Sequence, residues 1–250
     1  MRYVRYRRAG QERHGQLEGD QVRPLTAAPW LGGTPEGAPV PLADVQLLAP
    51  VQPSKIVCVG RNYMAHAREM GWEVPKEPLI FLKPSTSVVG PGDEIRCPPQ
   101  SREVHYEAEL GVVVGRTLTR VSPSEARLGV LGWTCVNDVT ARDIQKAEKQ
   151  FTRAKGFDTF CPVGPWIETN LDPLEVSVVC RVNGEERQRG YPKDMAFDPF
   201  YVASFVSHVM TLLPGDVIAT GTPEGVGAIQ RGDWVEVEVS GIGVLKNPVV

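Results

Sequence analysis

The chain has 250 residues, of which 42% are hydrophobic and 23% charged, ordinary values for a globular protein. Its net charge of −3 gives no basic excess for nucleic acid or an anionic membrane, so we expect neither as a partner. No apolar run reaches the roughly 18 residues that a membrane-spanning helix needs. The cysteines are odd in number and never form a C-x-x-C pair, and no secretory leader pattern is present. We therefore expect a cytoplasmic protein with free thiols and no thiolate zinc site.

The first 25 residues predict a short antiparallel meander, because polar and apolar residues alternate around the turn signals Ala9-Gly10 and Glu18-Gly19-Asp20. Residues 26–53 are rich in Pro, Gly and Ala, which favours a loose surface connection. An apolar run then begins at Lys55. We predict a small N-terminal β domain with its linker over 1–50 and a larger domain over 51–250.

The larger domain is predicted to be mostly β with a few helices, which makes the fold class α+β. Predicted helices cover 63–70 (capped by Asn62 and ended by Gly71), the turn after the capping box at Ser122, 139–150, and a stripe from Asp198 to Pro214. Predicted strands include 176–182, which precedes an Asn183-Gly184 turn, and 234–239.

An acidic pair precedes the apolar run 110–114 and is the most informative pattern in the chain. Glu107 and Glu109 are two residues apart, so on a strand they point to the same side. Two unpaired carboxylates are costly to bury, and a hard cation such as Mg²⁺, Mn²⁺ or Ca²⁺ removes that cost. The apolar run 130–136 ends near Asp138, which predicts a third ligand at a neighbouring strand end.

The spacing alone leaves an alternative open. An E-x-E pattern is common, and Glu107 and Glu109 would then lie on a solvated strand face and pair with Arg or Lys. Glu103 and His105 share the same parity and fit either a ligand or an exposed strand end.

Six stretches, taken together and in their order along the chain, resemble the fumarylacetoacetate hydrolase superfamily. They are Val59-Gly60-Arg61-Asn62-Tyr63, Phe81-Leu82-Lys83-Pro84-Ser85, His105-Tyr106-Glu107-Ala108-Glu109-Leu110, Asn137-Asp138-Val139-Thr140-Ala141-Arg142-Asp143-Ile144-Gln145, Lys155-Gly156-Phe157-Asp158-Thr159-Phe160-Cys161-Pro162 and Leu213-Pro214-Gly215-Asp216-Val217-Ile218-Ala219-Thr220-Gly221-Thr222-Pro223. The resemblance runs from about residue 55 to the last residue, and residues 1–50 look like the short N-terminal domain of bacterial members. An ordered set is far more specific than any single stretch.

The resemblance implies a mixed β-roll or sandwich, a homodimer, and one Mg²⁺ held by Glu107, Glu109 and Asp138, with Mn²⁺ or Ca²⁺ as alternatives. It also implies reactions of 2-oxo acids through enolates. Family members hydrolyse C–C bonds of β-diketo acids, decarboxylate 2-oxo diacids, or isomerise 2-hydroxy-diene dioates, as in aromatic catabolism. Similarity of fold alone does not indicate which of these reactions a member catalyses.

The resemblance also implies four residues that act on the substrate. Lys155 matches a substrate-facing cation, and Thr222 matches a contact to the substrate carboxylate. Arg142 and Gln145 are three apart on the predicted helix, and by resemblance they face the substrate or brace the site. The alternatives are a surface role for Lys155, a turn-shaping role for Thr222, and pairing of Arg142 with Asp138 or Asp143.

His66 and Glu69 are three apart on the predicted helix 63–70, so their side chains can meet. A carboxylate beside an imidazole orients it as a general base, and the pair matches the catalytic dyad of hydrolase and decarboxylase members. The alternative is a surface helix on which the spacing is accidental. In the family this helix belongs to a lid, and Gly60 and Gly71 bracket it here. The other histidines, His14 and His208, are interpreted as structural or exposed.

The sequence therefore predicts a metal-dependent enzyme that acts on a 2-oxo or β-diketo acid through a metal-bound enolate. Two rivals remain: a carboxylate-binding protein that has lost catalysis, and a structural protein stabilised by calcium. Loops around 61–80 and 184–197 are expected to recognise the distal end of the substrate.

Overall fold

A computed structural model describes residues 1–69, 71, 73 and 75–250, and it is built mainly of strands. The strands are β1 Arg2–Arg8, β2 Gln11–Glu18, β3 Gln21–Pro24, β4 Val40–Pro41, β5 Gln46–Leu48, β6 Ile56–Gly60, β7 Leu79–Lys83, β8 Val88–Val89, β9 Val104–Tyr106, β10 Ala108–Val114, β11 Val130–Asn137, β12 Thr140–Ala141, β13 Cys161–Glu168, β14 Val178–Val182, β15 Glu185–Gly190, β16 Val217–Ala219, β17 Gly227–Ile229, β18 Trp234–Val239 and β19 Gly243–Pro248. The helices are α1 Met64–Glu69, α2 Pro123–Gly129, α3 Arg142–Ala147, α4 Thr152–Lys155 and α5 Pro199–Val209. Short 3-10 turns lie at Pro29–Leu31, Leu42–Asp44, Ser85–Ser87 and Pro192–Asp194.

The strands form three sheets. The large sheet has the order β4-β3-β2-β1-β13-β11-β10-β16-β6-β7, with β5 beside β1 and β8 beside β13. A three-stranded sheet, β12-β9-β17, and a four-stranded sheet, β15-β14-β18-β19, complete the fold. The predicted α+β, mostly β class is confirmed. Within the described residues, no helix is long and apolar enough to cross a bilayer.

The predicted N-terminal meander is present as β1–β3, and it is joined to the large sheet. On β1, Arg2 pairs with Glu168 and Tyr3 with Ile167 of β13. The prediction of a loose connection over 26–53 is wrong in part. There β4 pairs with β3, β5 pairs with β1, and Val51 is buried.

The carboxylate of Glu168 fastens β1 to β13, and its loss should destabilise the protein at neutral pH. It accepts hydrogen bonds from Arg2 Nε at 3.0 Å and from the Asn170 N–H at 2.9 Å. Burial alone would raise the pKa of Glu168, but the Asn170 N–H, the N-terminal ammonium and Arg2 together hold that pKa below its usual value. A carboxyl of this kind stabilises the fold above its unfolded pKa, about 4.3, and this contribution is lost as pH falls through the folded pKa.

We expect Glu168→Gln to lower the free energy of unfolding by about 1 kcal/mol at pH 7, because the groups that it pairs with are partly exposed. The difference from wild type should shrink as the pH falls below about 4. Urea unfolding over a pH series measures both effects, with the exposed Glu175→Gln as a control. A difference that stays constant at every pH would contradict the assignment.

Strand β10 lies at the centre of the large sheet, between β11 and β16. All seven of its residues are buried, as the apolar run predicts for its second part. Full burial of one valine or leucine side chain stabilises the folded state by about 1.5–3 kcal/mol, and β10 has several, so the strand is fixed in position. The side chains at the start of β10 therefore have little freedom of position.

The helices begin and end at positions that differ in part from the predictions. The capping box at Ser122 is confirmed, since Glu125 N–H donates to Ser122 Oγ and Ser122 N–H donates back to Glu125. The side chain of Asn62, which was predicted to cap α1, has hydrogen-bond partners outside the helix. Its amide donates to Thr220 O at 2.7 Å and to Phe197 O at 3.0 Å, which ties the start of α1 to two distant loops. The last predicted residue of this helix, Met70, lies outside the described residues.

Two further boundaries move because tertiary pairing overrides local pattern. Residues predicted to open a helix at 139 form β12, which pairs with β9, so α3 covers only 142–147. Helix α5 ends at Val209, because Leu212 forms a bridge with Leu118. The Asn183-Gly184 turn is confirmed: both residues have positive φ, 53° and 82°, as a two-residue hairpin turn requires.

Candidate active site

Three carboxylates meet where β10 begins and β11 ends. Glu107 precedes β10, Glu109 lies within it, and Asp138 follows β11. The antiparallel pairing of Ala108 with Asn137 brings these positions together. Each residue offers a carboxylate oxygen within 4.8 Å of the others. Glu107 is 5% exposed and the other two are 1% exposed, so the alternative of a solvated strand face is wrong.

Backbone contacts fix the positions of the three carboxylates. The Asp138 N–H donates to Glu107 O at 2.9 Å, and the Glu107 N–H donates to Asn137 Oδ1 at 3.0 Å. The Gly221 N–H donates to Glu109 Oε2 at 2.7 Å. Gly221 has φ +106°, and a Cβ there would come within 2.8 Å of the Asn62 side chain, so only glycine allows this close approach.

Three buried cations surround this cluster. Lys155 Nζ lies 2.8 Å from Glu107 Oε2 and 2.6 Å from Asp138 Oδ2. Lys83 Nζ donates to Asp138 Oδ1 at 2.6 Å and to Val139 O at 3.0 Å. Arg142 Nη2 donates to Glu107 Oε1 at 2.5 Å. Lys155 is 3% exposed, so its alternative as a surface lysine is wrong.

Arg142 has a different ion-pair partner from the two weighed from sequence. It pairs with Glu107, rather than with Asp138 or Asp143. Asp143 instead accepts hydrogen bonds from Ser101 Oγ and the Arg102 N–H. Gln145 lies on the same face as predicted, and its Oε1 accepts a hydrogen bond from Arg142 Nη1.

The charges shift the pKa values of the cluster in opposite directions. Burial would raise the pKa of Glu107, but the charges of Lys155 and Arg142 outweigh it and hold that pKa below its usual value. The pKa of Glu109 is raised by burial and by repulsion from Asp138 and Glu107. Burial would lower the pKa of Lys155, but Asp138 and Glu107 raise it, so this lysine is a fixed cation at neutral pH.

This donor set fits a divalent cation. Buried carboxylate oxygens are the ligands that Mg²⁺, Mn²⁺ and Ca²⁺ prefer. The raised pKa of Glu109 shows that burial and repulsion from Asp138 and Glu107 disfavour its charged form, and a bound cation would favour that form. Glu107, Glu109 and Asp138 are therefore the residues that could hold a metal.

A narrow cavity of about 30 Å³ opens onto the cluster. It is lined by Val59, Gly60, Arg61, His66, Phe81, Glu107, Glu109, Asp138, Arg142, Gln145, Phe151, Lys155 and Thr222. Eight of the nine residues predicted for the site line it. Thr222 forms part of the wall, with its hydroxyl donating to Ala108 O at 2.9 Å and accepting from Gln188 at 2.8 Å.

The ninth predicted residue, Glu69, lies behind His66. His66 Nδ1 is 3.1 Å from Glu69 Oε2, so the pair meets as its spacing predicts. The Gly225 N–H donates to both oxygens of Glu69, at 3.1 and 3.2 Å, and the Tyr106 hydroxyl donates to Gly225 O at 2.9 Å. These contacts tie α1 to the loop that follows Thr222. His66 is 5% exposed, so α1 is not simply a surface helix.

Comparison with known proteins shows the family of the chain. Residues 55–250 match the family described as Fumarylacetoacetate (FAA) hydrolase C-terminal, and residues 1–50 match Rv2993c-like, N-terminal. The chain belongs to the fumarylacetoacetate hydrolase family.

Relatives in this family carry different reaction names. Oxaloacetate tautomerase FAHD2A, mitochondrial, of Homo sapiens is 45% identical over 84% of this chain and 71% of its own length. The structure of 2-hydroxyhepta-2,4-diene-1,7-dioate isomerase from Mycobacterium marinum is 45% identical, with a TM-score of 0.93 over 100% of this chain and 98% of that one. The fumarylacetoacetate hydrolase of Exiguobacterium antarcticum is 38% identical, with a TM-score of 0.89 over 100% and 99%. The protein is thus an enzyme of the fumarylacetoacetate hydrolase family.

The site also contains residues for which no role was predicted. Lys83 lies in one of the family stretches, and on β7 it points to the opposite side from the exposed Leu82, toward Asp138. Phe81 and Phe151 meet edge to face at 5.4 Å, and Lys155 Nζ lies 5.1 Å from the Phe81 ring. Gln188 accepts from the Ala108 N–H at 3.0 Å, and no local pattern marks it.

Proposed function

We propose that the protein is a divalent-metal-dependent enzyme that converts a 2-oxo carboxylic acid through its enolate, with proton-transfer isomerisation as the main reaction. The observation that carries this proposal is that the imidazole of His66 lines the same cavity as the three carboxylates. A base and a site that stabilises negative charge are what proton removal beside a 2-oxo group requires.

Each side chain has a defined part in this reaction. With Nδ1–H donating to Glu69, Nε2 of His66 is the nitrogen that can take a proton from the carbon next to the 2-oxo group. His66 then returns this proton to the enolate oxygen, or to a carbon further along a conjugated chain. Lys155 is held protonated and supplies fixed positive charge rather than a base. A bound divalent cation would supply Lewis-acid stabilisation of the enolate.

The charge balance of the site favours a negatively charged substrate. The three carboxylates of the cluster are matched by the three buried cations Lys83, Arg142 and Lys155. Arg61 also lines the cavity, so a divalent cation would leave the site with an excess of positive charge, which an anionic substrate such as a dicarboxylate neutralises. The names of the human tautomerase and the M. marinum isomerase agree with a 2-oxo or 2-hydroxy-diene dicarboxylate.

A second candidate reaction is hydrolysis of a C–C bond in a β-diketo acid. The His66–Glu69 pair favours it, because the same base can activate a water molecule. The relative named as a hydrolase is less similar to this chain than the tautomerase and the isomerase, so we place hydrolysis second. On the family resemblance we also propose magnesium as the ion, a homodimer and a cytoplasmic location.

The test is a set of assays with chelated and with magnesium-loaded protein. The substrates are enolic oxaloacetate, a 2-hydroxy-diene dioate and an acylpyruvate, and release of CO₂ from oxaloacetate is followed separately. We expect magnesium to raise turnover of one dicarboxylate at least about 100-fold over chelated protein. Full activity in metal-free protein would refute the metal dependence, and acylpyruvate as the best substrate would move hydrolysis to first place.

A further inference from the structure

We propose that Glu103 and His105 form a relay that positions Arg142 against Glu107, and that the relay thereby sets the affinity of the metal site. The inference rests on the proposed metal site and assigns a role to two residues whose spacing left their role open. His105 is a positioning residue, not a catalytic one, because it acts on the site through Arg142.

Strand register brings the relay to the cluster. Strand β9 is the middle strand of its sheet, where His105 pairs with Thr140 of β12 and with Ala228 of β17. Neighbouring strands on both sides hold the backbone of His105, so its ring is presented from a fixed position. Glu103 and His105 have the same parity as Glu107. In the structure the side chains of Glu103 and His105 are in contact.

The donors and acceptors determine the tautomer of His105. Arg142 Nε can only donate, and it approaches His105 Nδ1 at 3.4 Å, so Nδ1 accepts. The proton of the neutral ring is therefore on Nε2, which donates to Glu103 Oε1 at 3.0 Å. Glu103 thus selects the tautomer that can bind Arg142.

The guanidinium transmits this arrangement to Glu107. Its Nε, Nη1 and Nη2 are directed to His105, Gln145 and Glu107, so each nitrogen of a rigid plane has its own partner. Arg142 is 2% exposed and is closely confined. On Glu107, Oε1 accepts from both Arg142 and Thr140, while Oε2 accepts from Lys155. The plane of this carboxylate is fixed by these bonds, and a ligand held in one orientation binds metal more tightly than a mobile one.

The outer end of the relay reaches the surface. Lys146 Nζ lies 3.1 Å from Glu103 Oε2, and the two side chains are 62% and 36% exposed. The residues described as lining the cavity include Arg142 and Glu107 but not His105. His105 therefore reaches Glu107 through Arg142 and not from within the cavity, so the relay is suited to hold a ligand rather than to touch substrate.

The experiment measures Mg²⁺ and Mn²⁺ binding by calorimetry, together with kcat and KM at several metal concentrations. His105→Leu removes the acceptor for Arg142, and we expect metal affinity to fall about 10- to 100-fold. At saturating metal, kcat should stay within about threefold of wild type. His105→Asn offers an oxygen near the position of Nδ1, and it should bring metal affinity back to within about threefold of wild type. His208→Asn, on the outer side of α5, is the matched control.

The outcomes separate the relay from the metal site itself. If wild type binds neither metal, the proposed function fails and the relay fails with it. If wild type binds metal and His105→Leu binds it equally well, the relay alone is refuted. A purely structural role for His105 predicts lower thermal stability with unchanged metal affinity and no rescue by Asn. Should His105→Leu not fold, Glu103→Ala takes its place, since Glu103 is partly exposed, and an unchanged metal affinity there would refute the relay.

Discussion

Glu109→Gln is expected to abolish metal binding and to lower kcat/KM by at least about 1,000-fold, while the metal-free protein keeps or gains thermal stability. The metal loses a charged ligand, so catalysis is lost. The fold is spared because glutamine is neutral, and burial together with repulsion from Asp138 and Glu107 disfavours a negative charge at this position. A glutamine oxygen can still accept the hydrogen bond from the Gly221 N–H.

Asp138→Asn should behave differently, although it also removes a proposed ligand. Asp138 accepts hydrogen bonds from Lys83 and Lys155, both at 2.6 Å. An amide in its place leaves two buried ammonium groups with less compensation, which costs about 3–5 kcal/mol when a buried pair is broken. Calorimetry of metal binding and thermal unfolding without metal distinguish the two variants, with the exposed Glu94→Gln as a control. Normal turnover in Glu109→Gln would contradict the assignment of this residue as a ligand.

His66→Gln is expected to lower kcat about 100- to 10,000-fold and to leave metal affinity unchanged. The variant removes the proposed base and keeps all three carboxylates. Glu69→Gln should lower kcat less, because the imidazole remains and only its orientation and basicity suffer. Steady-state kinetics with saturating metal, together with calorimetry of metal binding, separate these effects.

The His66 result also discriminates between reactions. Isomerisation and hydrolysis both need a base, whereas decarboxylation of a 2-oxo diacid creates the enolate without one. A kcat within threefold of wild type in His66→Gln would therefore contradict the proposed proton transfer and favour decarboxylation. His14→Gln serves as the control, since His14 packs against Trp30 in the N-terminal region.

The acidic cluster was predicted from a local pattern together with the order of the family stretches along the chain. Parity places Glu107 and Glu109 on one side of a strand, and Asp138 stands where an apolar run stops. The β-rich fold follows from the same kind of pattern, since alternating and continuous apolar runs mark most of the strands. Neighbours along the chain thus carry the information for the strands, whereas the ordered stretches were needed to favour a metal site over a solvated strand face.

The residues that were missed depend on contacts between distant parts of the chain. Lys83 is buried although the adjacent Leu82 is 44% exposed, which reverses the usual pattern for a strand, because Asp138 lies 55 residues away to receive the lysine. The predicted helix start at 139 failed for a related reason: pairing of β12 with β9 wins over local helix preference. These partners lie too far apart along the chain for a short sequence pattern to include both of them.

The junction between β1 and β13 has a consequence for how the chain can be divided. One family match ends at residue 50 and the other begins at residue 55, which suggests that the N-terminal segment could be removed as a separate unit. Removing it would uncover Ile167 and Glu168 on β13, two strands from β10, and leave their backbone groups without partners. An uncovered strand edge recruits other chains, so the shortened protein would tend to aggregate. Residues 1–50 thus cover this strand edge and prevent aggregation through the sheet that carries the carboxylates.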